Sequence, residues 1–394
     1  MSISSKVKES IERSSWIRKM FEEGARLIKE HGVDNVFDFS LGNPDLDPPD
    51  SFYTIMAELT SDKTKGIHGY MSNAGFPDVR ETIAKRVSAV QDVRLRQEHI
   101  IMTCGAAGGL NVVMKTILNQ GEEVIVPRPF FVEYSFYIDN HGGTIVLVDT
   151  NSDFSLNSDN IARALNEKTK AVLINSPNNP TGRVYSEEEI RSLADLLDRH
   201  SSGIGRPVYL ISDEPYREIV YEEKTVPSIL KHYSHSIVVT SYSKKLSLAG
   251  ERIGYIAVNP LCEDSDVLME GLIMCNRILG FVNAPALMQR LVARLEGSMV
   301  AVDVYKKRRD LLTAGLRSAG YEFADPQGAF YLFCKSPDED DVAFVRHLQK
   351  YNILVVPGKG FGGPGYFRIA YCVSEDIIER ALPRFREALE SWRG

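Results

Sequence analysis

Three segments carry residues whose types and spacing could do chemistry. In SYSKKLSLAGERIG (241–254), Ser241, Ser243, Lys244 and Arg252 follow the apolar run SIVVTSY. A lysine directly after a buried strand stands at the carboxyl edge of a sheet, where α/β proteins bind ligands. Two hydroxyls and an arginine beside it suit a phosphate. A lysine next to a phosphate site suits a Schiff base with a phosphorylated aldehyde. A solvated loop lysine is an equal reading, since Lys245 is adjacent. LISDEPY (210–216) ends a second apolar run on Asp213, with Tyr216 three residues on. An acid there could pair with a pyridinium nitrogen, cap a helix, or sit in a satisfied ion pair. INSPNNPTG (174–182) is a third apolar run, followed by a loop holding Asn179, and Asn, Pro and Gly favour turns.

The elements that must position these residues are legible as a pattern. IIMTC (100–104), EVIVP (123–127), TIVLV (144–148), KAVLIN (170–175), PVYLIS (207–212), SIVVTSY (236–242) and IGYIAV (253–258) read as strands. They are continuously apolar, as strands buried on both faces are. Helical patterns fall between most of them, including SEEEIRSLADLLDRH (186–200), which opens with a capping box from Ser186 to Glu189. The prediction is an α/β fold with a mostly parallel sheet sandwiched by helices. After about Pro285 the pattern becomes a long helical stretch (286–319). An α+β segment follows, made of QGAFYLFC, a helix around DDVAFVRHLQKY, ILVVPG, YFRIAYC and a last helix. This predicts a large domain over 46–290 and a smaller one from 1–45 with 291–394, with the proline-rich SLGNPDLDPP (40–49) as a boundary.

Taken in order, NNPTG, DEPY and SYSKKLSLAGER resemble the class I/II aminotransferases of the fold-type I pyridoxal-phosphate enzymes. The likeness extends from LGNPD (41–45) to YFRIA (366–370). It implies pyridoxal 5'-phosphate as cofactor and a ping-pong transfer of an amino group from an L-amino acid to a 2-oxo acid. It also implies roles. Lys244 would carry the cofactor aldehyde and move the substrate proton. Asp213 would keep the pyridine nitrogen charged. Tyr216 and Asn179 would donate to the ring oxygen, and Arg252, Ser241 and Ser243 would hold the phosphate. TCGAAGGLNVV (103–113) resembles the other phosphate contact, with Gly105, Ala106 and Ala107 opening a helix whose free N–H groups attract an anion. Phe131 matches the aromatic residue that stacks on the ring, with Phe130 an adjacent competitor. Tyr70 matches a tyrosine that reaches the neighbouring subunit's phosphate, which implies a homodimer with shared active sites. Arg368 matches the arginine that grips the substrate carboxylate, helped by the Gly42 N–H and Asn179.

Substrate choice is less legible. A dicarboxylate needs a second cation, and Ala107 stands where some relatives using aspartate place a basic residue. Arg277, with Ile278 beside it, and Arg18, with Trp16 and Ile17 beside it, are the candidates, each equally readable as a surface charge. The expectation is aspartate as donor and 2-oxoglutarate as acceptor. Neutral amino acids, or a carbon–sulfur lyase on the same scaffold, are the alternatives.

Other patterns exclude other functions. GKGFGG (358–363) satisfies GxGxxG but precedes a strand, so it reads as a flexible loop rather than a dinucleotide site. HGG (141–143) has no GxSxG partner, and no HExxH pair or CxxC suggests a metal. The 394 residues carry a net charge of −7, which offers no footprint for nucleic acid. No apolar run reaches the ~18 residues of a membrane helix. MSISSKVKESIERSSWIRK lacks a signal peptide's apolar core, and five scattered cysteines suggest no disulfide framework. A cytoplasmic protein without metal, nucleic-acid or membrane partner is the expectation.

Overall fold

The computed structural model describes residues 2–13 and 16–393. In the two N-terminal helices the side chains of residues 9, 10, 12, 13, 16–19, 21 and 22 lie outside the described ones. A first short strand, β1 (Phe37–Asp38), stays apart from the main sheet. That sheet has seven strands: β2 (Ile100–Thr103), β3 (Glu123–Arg128), β4 (Thr144–Asp149), β5 (Thr169–Asn175), β6 (Tyr209–Asp213), β7 (Ser236–Ser241) and β8 (Gly254–Val258). Their spatial order is β2-β8-β7-β6-β5-β3-β4. Only β8 runs against its neighbours.

The apolar runs are continuous because both faces are covered. Ala171, Leu173, Tyr209 and Ile211 enter one core, while Val172, Ile174 and Leu210 enter the other. The capping box forms: Glu189 N–H donates to Ser186 Oγ at 3.2 Å, and Ser186 N–H donates to Glu189 Oε2 at 2.7 Å. β5 and β6 end in register, Asn175 beside Asp213. This aligns the functional segments along one sheet edge.

A third core gathers Met20, Phe37 and Phe39 with residues from Val300 to Leu389. It surrounds an antiparallel sheet of β9 (Tyr331–Lys335), β11 (Val356–Pro357) and β12 (Tyr366–Ala370), while β10 (Ile353–Leu354) pairs with β1. Three local expectations are corrected. The stretch 286–319 is two helices, Ala286–Arg294 and Val302–Ala319, separated where Gly297 turns at φ +91. QGAFYLFC becomes a strand only from Tyr331, because Ala329 adopts φ +56. GKGFGG is not a loose loop: Gly358–Phe361 is a 3-10 helix with Phe361 fully buried. The two-domain division remains our proposal. Leu291 and Val292, near its boundary, pack in the first core.

Candidate active site

A cavity of about 300 Å³ opens at the sheet edge. Its wall brings together Gly42, Ala106, Ala107, Phe131, Asn179, Asp213, Tyr216, Ser241, Ser243, Lys244, Arg252 and Arg368. Phe131, not Phe130, faces it; Phe130 is buried against Gly362.

Asp213 ends β6 inside the protein. Its Oδ2 accepts from Tyr134 Oη at 2.6 Å, while its Oδ1 has no partner. Burial pushes the carboxyl up to about 7, opposed by the Tyr134 hydrogen bond. An orphaned acceptor beside a cavity calls for an N–H donor, preferably a charged one. Asn175 braces the edge: its Nδ2 donates to the Asp213 carbonyl at 2.8 Å, and its Oδ1 accepts from Asn179 N–H at 2.7 Å.

Lys244 lies in the loop after β7. Its Nζ donates to the Gly42 carbonyl at 2.8 Å. Burial lowers its pKa to about 8, assisted by the nearby Arg368 and Arg252. It is thereby closer to the neutral amine that a nucleophile needs.

At one end of the cavity the helix Gly105–Ile117 begins against Arg252. Gly105 has φ +73, and a Cβ there would come within 2.9 Å of Arg252 Nη2. Glycine is therefore required for the helix start and the guanidinium to share this corner. With the Ser241 and Ser243 hydroxyls they form an anion receptor.

Arg368, on β12, is fully buried between the rings of Tyr331 and Phe361, at 4.6 and 4.7 Å. Nη1 donates to Asn179 Oδ1 at 3.0 Å and Nη2 to the Ser40 carbonyl at 2.6 Å. No described carboxylate pairs with Lys244, Arg252 or Arg368, and Nε of Arg368 is orphaned. A buried guanidinium without a counter-ion suits a carboxylate ligand. Gly42 lines the cavity, and its carbonyl accepts from Lys244 Nζ.

These observations test the cofactor. A phosphate fits the Arg252 corner, a pyridinium N–H fits Asp213 Oδ1, and Phe131 offers a ring face. The residues present fit pyridoxal phosphate.

Arg277 is absent from the wall of this cavity, and Tyr70, expected to reach a neighbouring subunit, points to solvent. Tyr70 is 91% exposed, and Arg277 is exposed on the helix Ser265–Ile278. The Arg18 side chain lies outside the described ones. Sequence reasoning missed Tyr134, which opens the helix Glu133–Asp139 and meets the Phe131 ring edge-on at 5.5 Å. It also missed Tyr331, whose Oη lies 2.8 Å from Tyr216 Oη. No local signal marks that contact across 115 positions.

Known proteins agree with the geometry. The family model for aminotransferase class I and II matches residues 34–385. An aminotransferase crystal structure from Eubacterium rectale superposes with TM-score 0.96 at 37% identity, covering 100% of each chain. The aspartate aminotransferase of Thermus thermophilus with maleate superposes with TM-score 0.88 at 28% identity, covering 98% of this chain and 100% of that one. The aspartate/prephenate aminotransferase of Thermus thermophilus is 32% identical over 370 residues, 92% of this chain and 93% of the relative. With its sheet, its cavity and these relatives in view, the chain belongs to the class I and II aminotransferases.

Proposed function

We propose that this transaminase uses pyridoxal 5'-phosphate to move the amino group of aspartate to 2-oxoglutarate. The observation that carries the reading is one cavity holding three cations without counter-ions among the described residues and one half-satisfied acid. When bound, the cofactor supplies an electron sink for a substrate carbanion. The protein does the rest. Arg252, Ser241, Ser243 and the start of the helix Gly105–Ile117 hold the phosphate. Asp213, oriented by Tyr134, keeps the ring nitrogen charged. Arg368 and Asn179 fix the substrate carboxylate, which turns the Cα proton toward Lys244. Lys244 would then take that proton from Cα and deliver it to the carbon of the cofactor aldehyde, the shift that amino-group transfer requires. Its lowered pKa supports this role.

Aspartate is supported by the names of the relatives and by maleate, a dicarboxylate, in the Thermus structure. A second reading, a neutral amino acid, is favoured by the cavity itself. Among described residues it offers no cation beyond Lys244, Arg252 and Arg368. A distal carboxylate would need Arg18 or Arg277. Exposed Tyr70 supports a homodimer that shares its sites. Five free cysteines support a reducing, cytoplasmic setting. Among the described residues no helix is long and apolar enough to cross a membrane.

Adding single amino acids to the yellow holoprotein tests the choice. Rapid bleaching by aspartate and glutamate, but slow bleaching by alanine and phenylalanine, is expected. The reverse order establishes the neutral reading and makes Arg18 and Arg277 surface charges. A band that shifts without bleaching identifies a lyase.

A further inference from the structure

Arg368 keeps its place without the ion pair that usually holds a buried arginine. Its two hydrogen bonds go to uncharged acceptors, Asn179 Oδ1 at 3.0 Å and the Ser40 carbonyl at 2.6 Å. Its Nε has no partner. The other groups against the guanidinium are two aromatic rings, Tyr331 at 4.6 Å and Phe361 at 4.7 Å. The electron-rich face of a ring attracts a cation, most strongly where water is excluded. Arg368 and Phe361 are both buried, so that condition is met.

The two rings differ in what else they touch. Tyr331 lines the cavity, where it also meets Tyr216. Phe361 is not part of the cavity wall. Its ring reaches the site through Arg368.

The place of that ring is set by the GKGFGG segment, which the cofactor reading leaves unused. Its helical turn, Gly358–Phe361, follows β11, whose Val356 pairs with Arg368 on β12. Three contacts clamp the segment. The buried Asp341 carboxylate accepts from Lys359 N–H at 2.8 Å. The Phe361 carbonyl accepts from Phe130 N–H at 3.0 Å. Gly363 lies so close to the cavity side that a Cβ there would come within 2.9 Å of both Pro129 and Phe333. The ring therefore stays under the guanidinium unless several of these contacts break.

We infer that Phe361 is a positioning residue for Arg368: its ring, fixed by the GKGFGG turn, seats the guanidinium at the cavity wall. A guanidinium fork takes a carboxylate in one plane, so its orientation decides how well the substrate is held. The inference rests on the reading above, in which Arg368 takes the carboxylate shared by all donors. Phe361 acts on substrate through Arg368 without touching it.

The test uses the protein reconstituted with pyridoxal phosphate and follows the bleaching of its visible band by aspartate and by alanine. Phe361→Leu keeps an apolar side chain and removes the ring. The second-order rate constant of bleaching falls about tenfold for both donors, and the ratio between them is unchanged. The band of the protein without donor stays where it was, because Phe361 does not line the cavity. In an Arg368→Ala background, Phe361→Leu lowers the rate no further, because the ring has nothing left to act through. An unchanged rate in Phe361→Leu overturns the inference and leaves the ring as packing alone. So does an additive double variant. So does a lost or shifted band, which would put the effect of the turn on Phe130 and Phe131 instead. If Phe361→Leu does not fold, Phe361→Met, whose flexible side chain fills irregular gaps, carries the same expectations. A loss for aspartate alone would mean that the shared-carboxylate reading of Arg368 has failed. A native protein with no visible band, or one that no amino acid bleaches, would mean that the cofactor reading has failed.

Discussion

Lys244 and Lys245 are neighbours in the chain but belong to two electrostatic regions. Lys245 turns away from the cavity into a cluster behind it. Its Nζ lies 3.3 Å from Glu218 and 3.4 Å from Glu296. Glu218 also takes Arg86 at 2.8 Å, and Tyr242 Oη donates to Glu296 at 2.6 Å. Glu214 completes the cluster with Arg217 at 2.8 Å and Gln91 at 3.1 Å. On the cavity side, Lys244, Arg252, Arg368 and Asp213 have no ion pair among the described residues. The same alternation separates Asp213 from Glu214. Lys245 and Glu214 are ion-paired within the fold, although Glu214 Oε1 has no partner, whereas Lys244 and Asp213 have no ion pair among the described residues. Charges completed by the protein hold structure; charges left open report what the protein binds.

This contrast can be broken from either side. The largest effect is expected at Arg368→Ala. Removing one partner of a buried charged pair costs about 2–5 kcal/mol. Because Arg368 would read the carboxylate all substrates share, kcat/KM should fall similarly for every α-amino acid. A loss confined to dicarboxylates would move Arg368 to a distal site.

Next comes Asp213 in the cofactor-free protein. Burial raises its pKa from 3.8 to about 7. The folded chain therefore binds this proton more tightly than the unfolded chain. That contribution is complete below the usual carboxylate range and drains as pH climbs through the folded value. Thermal melts between about pH 4 and pH 7 should show the native sequence losing stability relative to Asp213→Asn, by up to about 3 kcal/mol. Bound pyridoxal phosphate should remove the difference. Parallel curves would mean that Asp213 is already paired.

The smallest effect is at Lys245→Met. Breaking a buried pair costs about 3–5 kcal/mol, but here Arg86 and Tyr242 still hold the carboxylates, so about 2 kcal/mol is expected. The melting temperature should drop while the visible band stays. Loss of the band with unchanged stability would reverse the roles of the two lysines.

The sequence made much of this legible. All seven strands of the main sheet follow the apolar runs to within about two residues, because burial on both faces writes an unbroken signal. Residues tied to a strand end, such as Asp213 and Lys244, were readable because the strand gives their place. Tyr134 and Tyr331 were not. Their meaning lies in contacts made 79 and 115 positions away. The GKGFGG segment misled for the same reason. Glycine freedom suggested a loose loop, but Phe361 is pinned beneath Arg368 by the β12 sheet. Arg277 shows where a single chain runs out, since it is exposed and absent from this chain's cavity, and the Arg18 side chain lies outside the described ones.

The central claim is that Lys244, not its neighbour, is left open for the cofactor. Incubation with pyridoxal phosphate, reduction with borohydride and peptide mapping by mass spectrometry test it directly. The account predicts one pyridoxyl group per chain, on Lys244, and none on Lys244→Ala. A label on Lys245, or one scattered over surface lysines, would contradict it.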